Sequence, residues 1–200
     1  MGISKTKDRI VDVARQLFAR DGIENTTMND IALASKKGRR TLYTYFKNKD
    51  EVYMAVVKSE LDNLLDHLIE VSKKDISPDE KLLEIVLRRL EAIKEVVFRN
   101  GTLRANFFRD IWKVEQVRKK FDRKEISLLK TIIQEGADKG VFEIDDVEMT
   151  AGIVHYCLRG IEVPFIRGQI GANVDPACRH EYIANIVFGG LRRSNQNINK

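Results

Sequence analysis

The 200-residue chain predicts an all-α fold. Three observations carry that expectation. Only three Pro occur and the twelve Gly are scattered, which argues against a turn-rich β fold. Apolar residues recur at helical spacing through most of the chain, whereas alternating runs between turn signals are few. A hydrophobic content of 43% suffices for a core, in one domain or in a small one joined to a larger one.

The elements follow in order. Ile10, Ala14, Leu17 and Phe18 form one apolar stripe, so a first helix runs from about Lys5 to Arg20. "RDG" stops it, with Gly22 suited to the left-handed position after a helix. Thr27 caps a short second helix over 28–34, and Asp30 three residues on completes a capping box. "SKKG" breaks this helix, and a third fits Arg39 to Tyr45 with Leu42 and Phe46 facing inward. From Lys49 the chain turns long and amphipathic. Helices are expected from Lys49 to "DISPDE", from Pro78 to about Arg99, over the aromatic "LRANFFRDIW", and from about Glu115 to Lys139. Another runs from Asp146 to about Val163, where Pro164 ends or kinks it. Asp175 and Pro176 open the last, which stops near Gly189 and Gly190. That makes about nine helices, with a polar tail at 195–200.

Charge is unevenly placed. Residues 1–50 hold 11 Lys or Arg against 6 Asp or Glu, while residues 51–200 hold 24 of each. The whole excess of +5 therefore lies in the first quarter. Four cations, Lys36, Lys37, Arg39 and Arg40, fall within five positions. The same quarter holds three helices, the last two short and joined by a tight turn, which is a helix-turn-helix. Basic charge and this architecture converge on DNA.

Other classes are poorly supported. His67, His155 and His180 are dispersed, with no zinc-protease motif, no nucleophile–base pair and no glycine-rich phosphate loop. No enzyme activity, metal or cofactor is expected. Cys157 and Cys178 lack metal-site spacing and read as reduced, packed thiols. Lys5, Lys7, Asp8 and Arg9 interrupt any leader-like apolar run, and no stretch nears the roughly 20 residues that span a bilayer. A cytoplasmic protein without membrane contact is expected.

"TTMNDIALAS…TLYTYFKNKDEVYMAV" closely resembles the DNA-binding domain of TetR-family transcriptional regulators. The resemblance is strong over about 5–60. "GVFEIDDVEMTAGIVHYCLRGI" is similar to the weaker signature that opens the family's dimerising helices. Residues 65–135 match only in helix count and length. The resemblance implies a homodimer, a palindromic operator and a small-molecule pocket in the C-terminal domain. Residues 1–48 would bind double-stranded DNA, and 49–194 would bind an effector and dimerise. Across the turn the family usually reads Ala-Gly-Val-Ser, where this chain has Ser35, Lys36, Lys37 and Gly38. Lys36 replaces the turn glycine, at a cost of roughly 1 kcal/mol if the position needs positive φ.

The second helix of such a motif lies in the major groove with its N-terminal residues on base edges. Arg39, Arg40 and Thr41 hold those places, with Thr44 one turn on; a solvated helix start is the competing reading of the two Arg. Cations oppose the macrodipole at a helix N-terminus, which favours a compensating polyanion. Lys36 and Lys37 suit phosphate better than bases, and the N-terminus at Thr27 is a natural phosphate seat. The resemblance adds Tyr43, Tyr45 and Lys49 as phosphate contacts, with packing in the small domain's core as the competing reading of Tyr43. Phe107, Phe108, Trp112, His155 and Tyr156 lie on helices that line the family's cavity, and core packing competes with that role. Val154, Leu158, Ile161, Ile183, Ile186 and Val187 form stripes suited either to a four-helix dimer interface or to an intramolecular core. A ligand-responsive repressor is the expected function. The alternatives are a regulator without an effector and an enzyme with a helical pocket.

Overall fold

The computed structural model describes the backbone of residues 2–100, 111–171, 173–189 and 191. It describes the side chains of all of these except 2–4, 93–94, 96–100, 111–114, 166, 176–177 and 179–180. Among the described residues there are eight helices and no strand. They are α1 (Gly2–Asp21), α2 (Met28–Ala34), α3 (Arg39–Tyr45), α4 (Lys49–Ser72), α5 (Pro78–Asn100), α6 (Ile111–Asp138), α7 (Val147–Ile166) and α8 (Pro176–Phe188). The aromatic helix expected at "LRANFFRDIW" falls mostly outside the described residues. The chain divides into two compact units, one of residues 1–63 and 94–121, the other of 64–93 and 122–200.

Local chemistry sets the helix ends. Gly22 takes φ +82° after α1, and its N–H donates to the Phe18 carbonyl at 3.1 Å. Thr27 and Asp30 form the expected capping box at α2. At α4, Glu51 N–H donates to Asn48 Oδ1, and the Glu51 carboxylate accepts from the N–H of Lys47, one residue before the cap. At α5, Ser77 gives its N–H and its hydroxyl to the Glu80 carboxylate, and Pro78 needs no partner for its nitrogen. Asp146 accepts from Met149 N–H at α7.

In the first unit, α1, α2, α3 and α4 share one core. Ile10, Ala14, Phe18, Ile31, Leu42, Phe46, Val52 and Val56 are buried in it. Each such large apolar side chain contributes about 1.5–3 kcal/mol. Arg15 ties α1 to α4, with Nη2 donating to Ser59 Oγ and Nε 2.9 Å from Glu60 Oε1. In the second unit the core is built from Leu82, Ile85 and Val86 of α5, Leu129, Ile132 and Ile133 of α6, and Ala151, Val154 and Leu158 of α7, with Ile183, Ala184 and Phe188 of α8. Phe142 packs on Gly136, where a Cβ would come within 2.1 Å of the ring.

α7 runs on to Ile166 and carries Pro164 inside it, so the expected stop near Val163 is three residues early. Proline removes one N–H, and in the last turn that loss is confined to a single bond. The Pro164 carbonyl still accepts from Gln169 N–H at 2.8 Å.

Candidate nucleic-acid interface

The turn between α2 and α3 is set by two backbone hydrogen bonds. Lys36 N–H donates to the Leu33 carbonyl and Lys37 N–H to the Ala32 carbonyl, each at 3.0 Å. This is a Schellman motif, whose C′ residue is left-handed and usually glycine. Lys36 occupies it with φ +54°, alone among described non-glycine residues in having positive φ. The strain anticipated at this position is therefore present. Ser35 is buried below it and donates its hydroxyl to the Ala32 carbonyl. Gly38 then caps α3 in an extended conformation, with no side-chain hydrogen bond.

α3 buries Leu42, and Phe46 follows it into the core. The opposite side is exposed and carries Arg39, Arg40, Thr41 and Thr44. The first turn of α3 has no acidic residue. Among the described residues, no ion pair engages Lys36, Lys37, Arg39 or Arg40. Two Arg at the positive end of a helix are locally unfavourable, and nothing within the described chain offsets them. The Thr44 hydroxyl donates to the Arg40 carbonyl at 2.9 Å, so its methyl is the unbonded branch.

The flanking residues divide. Tyr43 is 46% exposed, whereas Tyr45 packs against the core. The ring that joins the core is thus that of Tyr45 and not, as in the competing reading, that of Tyr43. Thr27 gives both its N–H and its hydroxyl to Asp30 Oδ2, at 2.8 and 2.6 Å. Those bonds, the hydroxyl first, hold the Asp30 carboxyl below its usual range. The Thr27 hydroxyl proton is therefore engaged inside the capping box. The Lys49 ammonium donates to the Ile23 and Glu24 carbonyls at 2.6 and 3.3 Å. It ties the α1–α2 loop to the start of α4, which leaves one N–H for any phosphate. The sequence also gave no sign of Leu33, 69% exposed on α2, because a leucine in a short amphipathic helix reads as core.

The second unit holds one cluster of charges inside. Arg89 on α5 is fully buried; its Nη2 donates to Glu162 Oε1 at 2.6 Å, and its Nη1 lies 3.1 Å from Glu125 Oε2. His155 Nδ1 lies 2.6 Å from that same Glu125 oxygen. Arg159 Nη1 donates to Asp122 Oδ2 at 3.2 Å. Ion pairs thus join α5, α6 and α7 where desolvation makes an isolated charge costly. Glu125 Oε1 and His155 Nε2 are buried without a hydrogen-bond partner among the described residues.

Several sequence expectations for this unit change. His155 belongs to this buried cluster, but Tyr156 faces out, 63% exposed, and so is not a cavity residue. Phe107 and Phe108 lie outside the described residues, as does the Trp112 side chain. Val154, Leu158 and Ile183 are buried within the chain's own core, while Ile161 and Val187 are half-buried. Of the six stripe residues only Ile186, 78% exposed, faces fully outward. The apolar residues left outside are instead Met149, Ile153 and Tyr156 on α7 and Tyr182 on α8. Each helix has two apolar faces, and the stripes chosen from sequence lay mainly on the inner one. Cys157 and Cys178 are exposed, not packed. No described helix is long and apolar enough to cross a membrane.

Residues 10–56 match the family model for bacterial regulatory proteins of the tetR family. The uncharacterized HTH-type transcriptional regulator YhgD of Bacillus subtilis (strain 168) is 29% identical over 154 residues, 74% of this chain and 78% of that protein. A transcriptional regulator from Cytophaga hutchinsonii has the same fold, with a TM-score of 0.76, 22% identity, and coverage of 93% of this chain and 98% of that one. FadR from Bacillus subtilis, solved in complex with stearoyl-CoA, superposes with a TM-score of 0.65 at 17% identity, over 92% of this chain and 99% of that one. The helical fold of the described residues, the helix-turn-helix and these likenesses agree: residues 10–56 carry the DNA-binding domain of tetR-family regulatory proteins, and the chain is similar over most of its length to HTH-type transcriptional regulators.

Proposed function

We propose that the chain is a ligand-responsive repressor that binds a palindromic operator as a homodimer in the cytoplasm, with no catalytic role. The observation that carries the reading is the set of four cations at Lys36, Lys37, Arg39 and Arg40, which have no ion pair among the described residues. In this reading Arg39 and Arg40 take base edges, since a guanidinium fork matches guanine. Thr41 and the Thr44 methyl add contacts on the same face. Lys36, Lys37 and Tyr43 hold phosphates. Thr27, Tyr45 and Lys49 flank them and act mainly by fixing the motif in place.

Dimerisation is supported by the outward apolar residues of the last two helices. Met149, Ile153 and Tyr156 follow i, i+4, i+7 on α7, and Tyr182 and Ile186 follow i, i+4 on α8. Helices α7 and α8 pack on each other, so two copies can bury both stripes in a four-helix arrangement about a two-fold axis. An effector is supported by the buried Glu125 Oε1, which has no hydrogen-bond partner among the described residues. It is also supported by the stearoyl-CoA that FadR, a protein of the same fold, holds. An effector that prefers a dimer of unsuitable half-site spacing weakens operator binding by its differential affinity for the two states.

Selection of bound DNA from a random pool tests this reading. It should return an inverted repeat with half-site centres about 10–10.5 base pairs apart. Ile153→Glu should yield a monomer by sedimentation velocity and lose binding to that repeat. A single asymmetric site bound by one copy would refute the dimer.

A further inference from the structure

We propose that the second unit carries a binding groove for an amphiphilic cation, formed by the first three turns of α5, residues 181–188 of α8 and the Phe142 loop. The groove encloses about 400 Å³, inside the roughly 300–1,000 Å³ range of small-molecule sites. Its floor is apolar: Leu82, Phe142, Ala184 and Phe188 are all buried there. Among the described residues, every charged side chain that lines it is a carboxylate, namely Asp79, Glu80 and Glu181.

The basic groups of α5 among the described side chains are engaged elsewhere. Lys81 pairs with Glu135 at 2.8 Å, Arg88 with Glu84 at 3.4 Å, and Arg89 with Glu162 at 2.6 Å. None of them lines the groove. Asp79 and Glu80 have a local reason to be acidic, since they lie in the first turn of α5. Glu80 is further held by Ser77, whose hydroxyl and N–H bonds keep its carboxyl below the usual range. Glu181 has no such reason. It stands six residues into α8, exposed, and among the described residues it makes no hydrogen bond or ion pair. An apolar floor beside uncompensated negative charge fits a ligand with a hydrocarbon body and an ammonium head. It disfavours a fatty acid or any other anionic amphiphile, because like charges would face each other.

The inference goes beyond the ligand-responsive reading and stands apart from it, since binding is read on the full chain without DNA. Isothermal titration with decyltrimethylammonium below its micelle concentration should give saturable binding. Decanoate under the same conditions should bind about ten-fold more weakly or not at all. Glu181→Gln should weaken the cation about three-fold, and Glu181→Lys should weaken it further while improving decanoate. Asn185→Trp, an exposed position on the groove wall, should block both ligands without unfolding the chain. Equal affinity for cation and anion, or affinity untouched by both the Glu181 and Asn185 variants, overturns the proposal. The chain's own basic end, Arg192, Arg193 and Lys200, is the rival occupant. Cation binding seen only in a chain ending at Leu191 overturns the proposal as well.

Discussion

Arg40 and Arg89 are the same residue in opposite circumstances. Arg40 stands exposed on a seven-residue helix, with no acid in its first turn. Arg89 is fully buried between two glutamates. The first unit leaves the cations of α3 and the turn before it without an ion pair among the described residues, and the second compensates its buried charges from within. An exposed, unpaired cation costs the fold little and is ready for a polyanion. A buried one must be paired before the fold is stable at all. The difference separates charge kept for a partner from charge spent on structure, and each half of it can be broken.

The largest effect belongs to the buried arginine. Arg89→Met leaves Glu125 and Glu162 buried without their cation and should cost about 3–5 kcal/mol in urea unfolding. A cost below about 1 kcal/mol, in the range of exposed pairs, would mean that the cluster is effectively solvated and that the contrast fails.

Next comes the turn. Lys36→Gly relieves a left-handed lysine and should raise stability by about 1 kcal/mol. It should also lower DNA affinity and reduce the slope of log K against log salt by about one, as loss of one phosphate contact does. A gain in stability with unchanged salt dependence would leave Lys36 as strain without a role in binding.

The smallest effect is a pH-dependent cap. Asp30 has a lowered pKa in the folded chain, caused first by the Thr27 hydroxyl and then by the Thr27 N–H. A depressed carboxyl contributes stability above its unfolded pKa and loses it as pH falls through the folded value. Thr27→Ala should therefore cost about 1 kcal/mol at pH 7. That cost should shrink as pH falls from about 4, the ordinary carboxyl value, through the lower folded-state value that the Thr27 bonds give Asp30. Thermal melts of the two proteins across pH 3–7 check it, and a gap that stays constant with pH argues against the capping box.

The first unit was far more legible in sequence than the second. α2 and α3 begin and end where Thr27, Asp30, Gly38 and the apolar pair Leu42 and Phe46 place them, because caps and turns act over three or four residues. Even the strain at Lys36 could be foreseen from the missing glycine. The buried cluster could not. Arg89, Glu125, His155 and Glu162 are up to 73 positions apart, and each reads alone as a solvated charge. The outer stripes were equally hidden. An apolar helix such as α7 shows its period in sequence but not which face meets its own core, so Val154 and Leu158 were as eligible as Ile153 and Tyr156. Lys49 is a similar case, since its bonds to the Ile23 and Glu24 carbonyls depend on how the loop returns to α4.

The central claim is that the exposed arginines of α3 read DNA sequence while contributing little to the fold. Fluorescence anisotropy of Arg39→Ala and Arg40→Ala on a selected operator and on unrelated DNA tests it most directly. Each variant should lose about 1–3 kcal/mol on the operator and relax base preference at one position. Stability should stay within about 0.5 kcal/mol of the parent. Undiminished and equally selective operator binding by both variants would contradict the account.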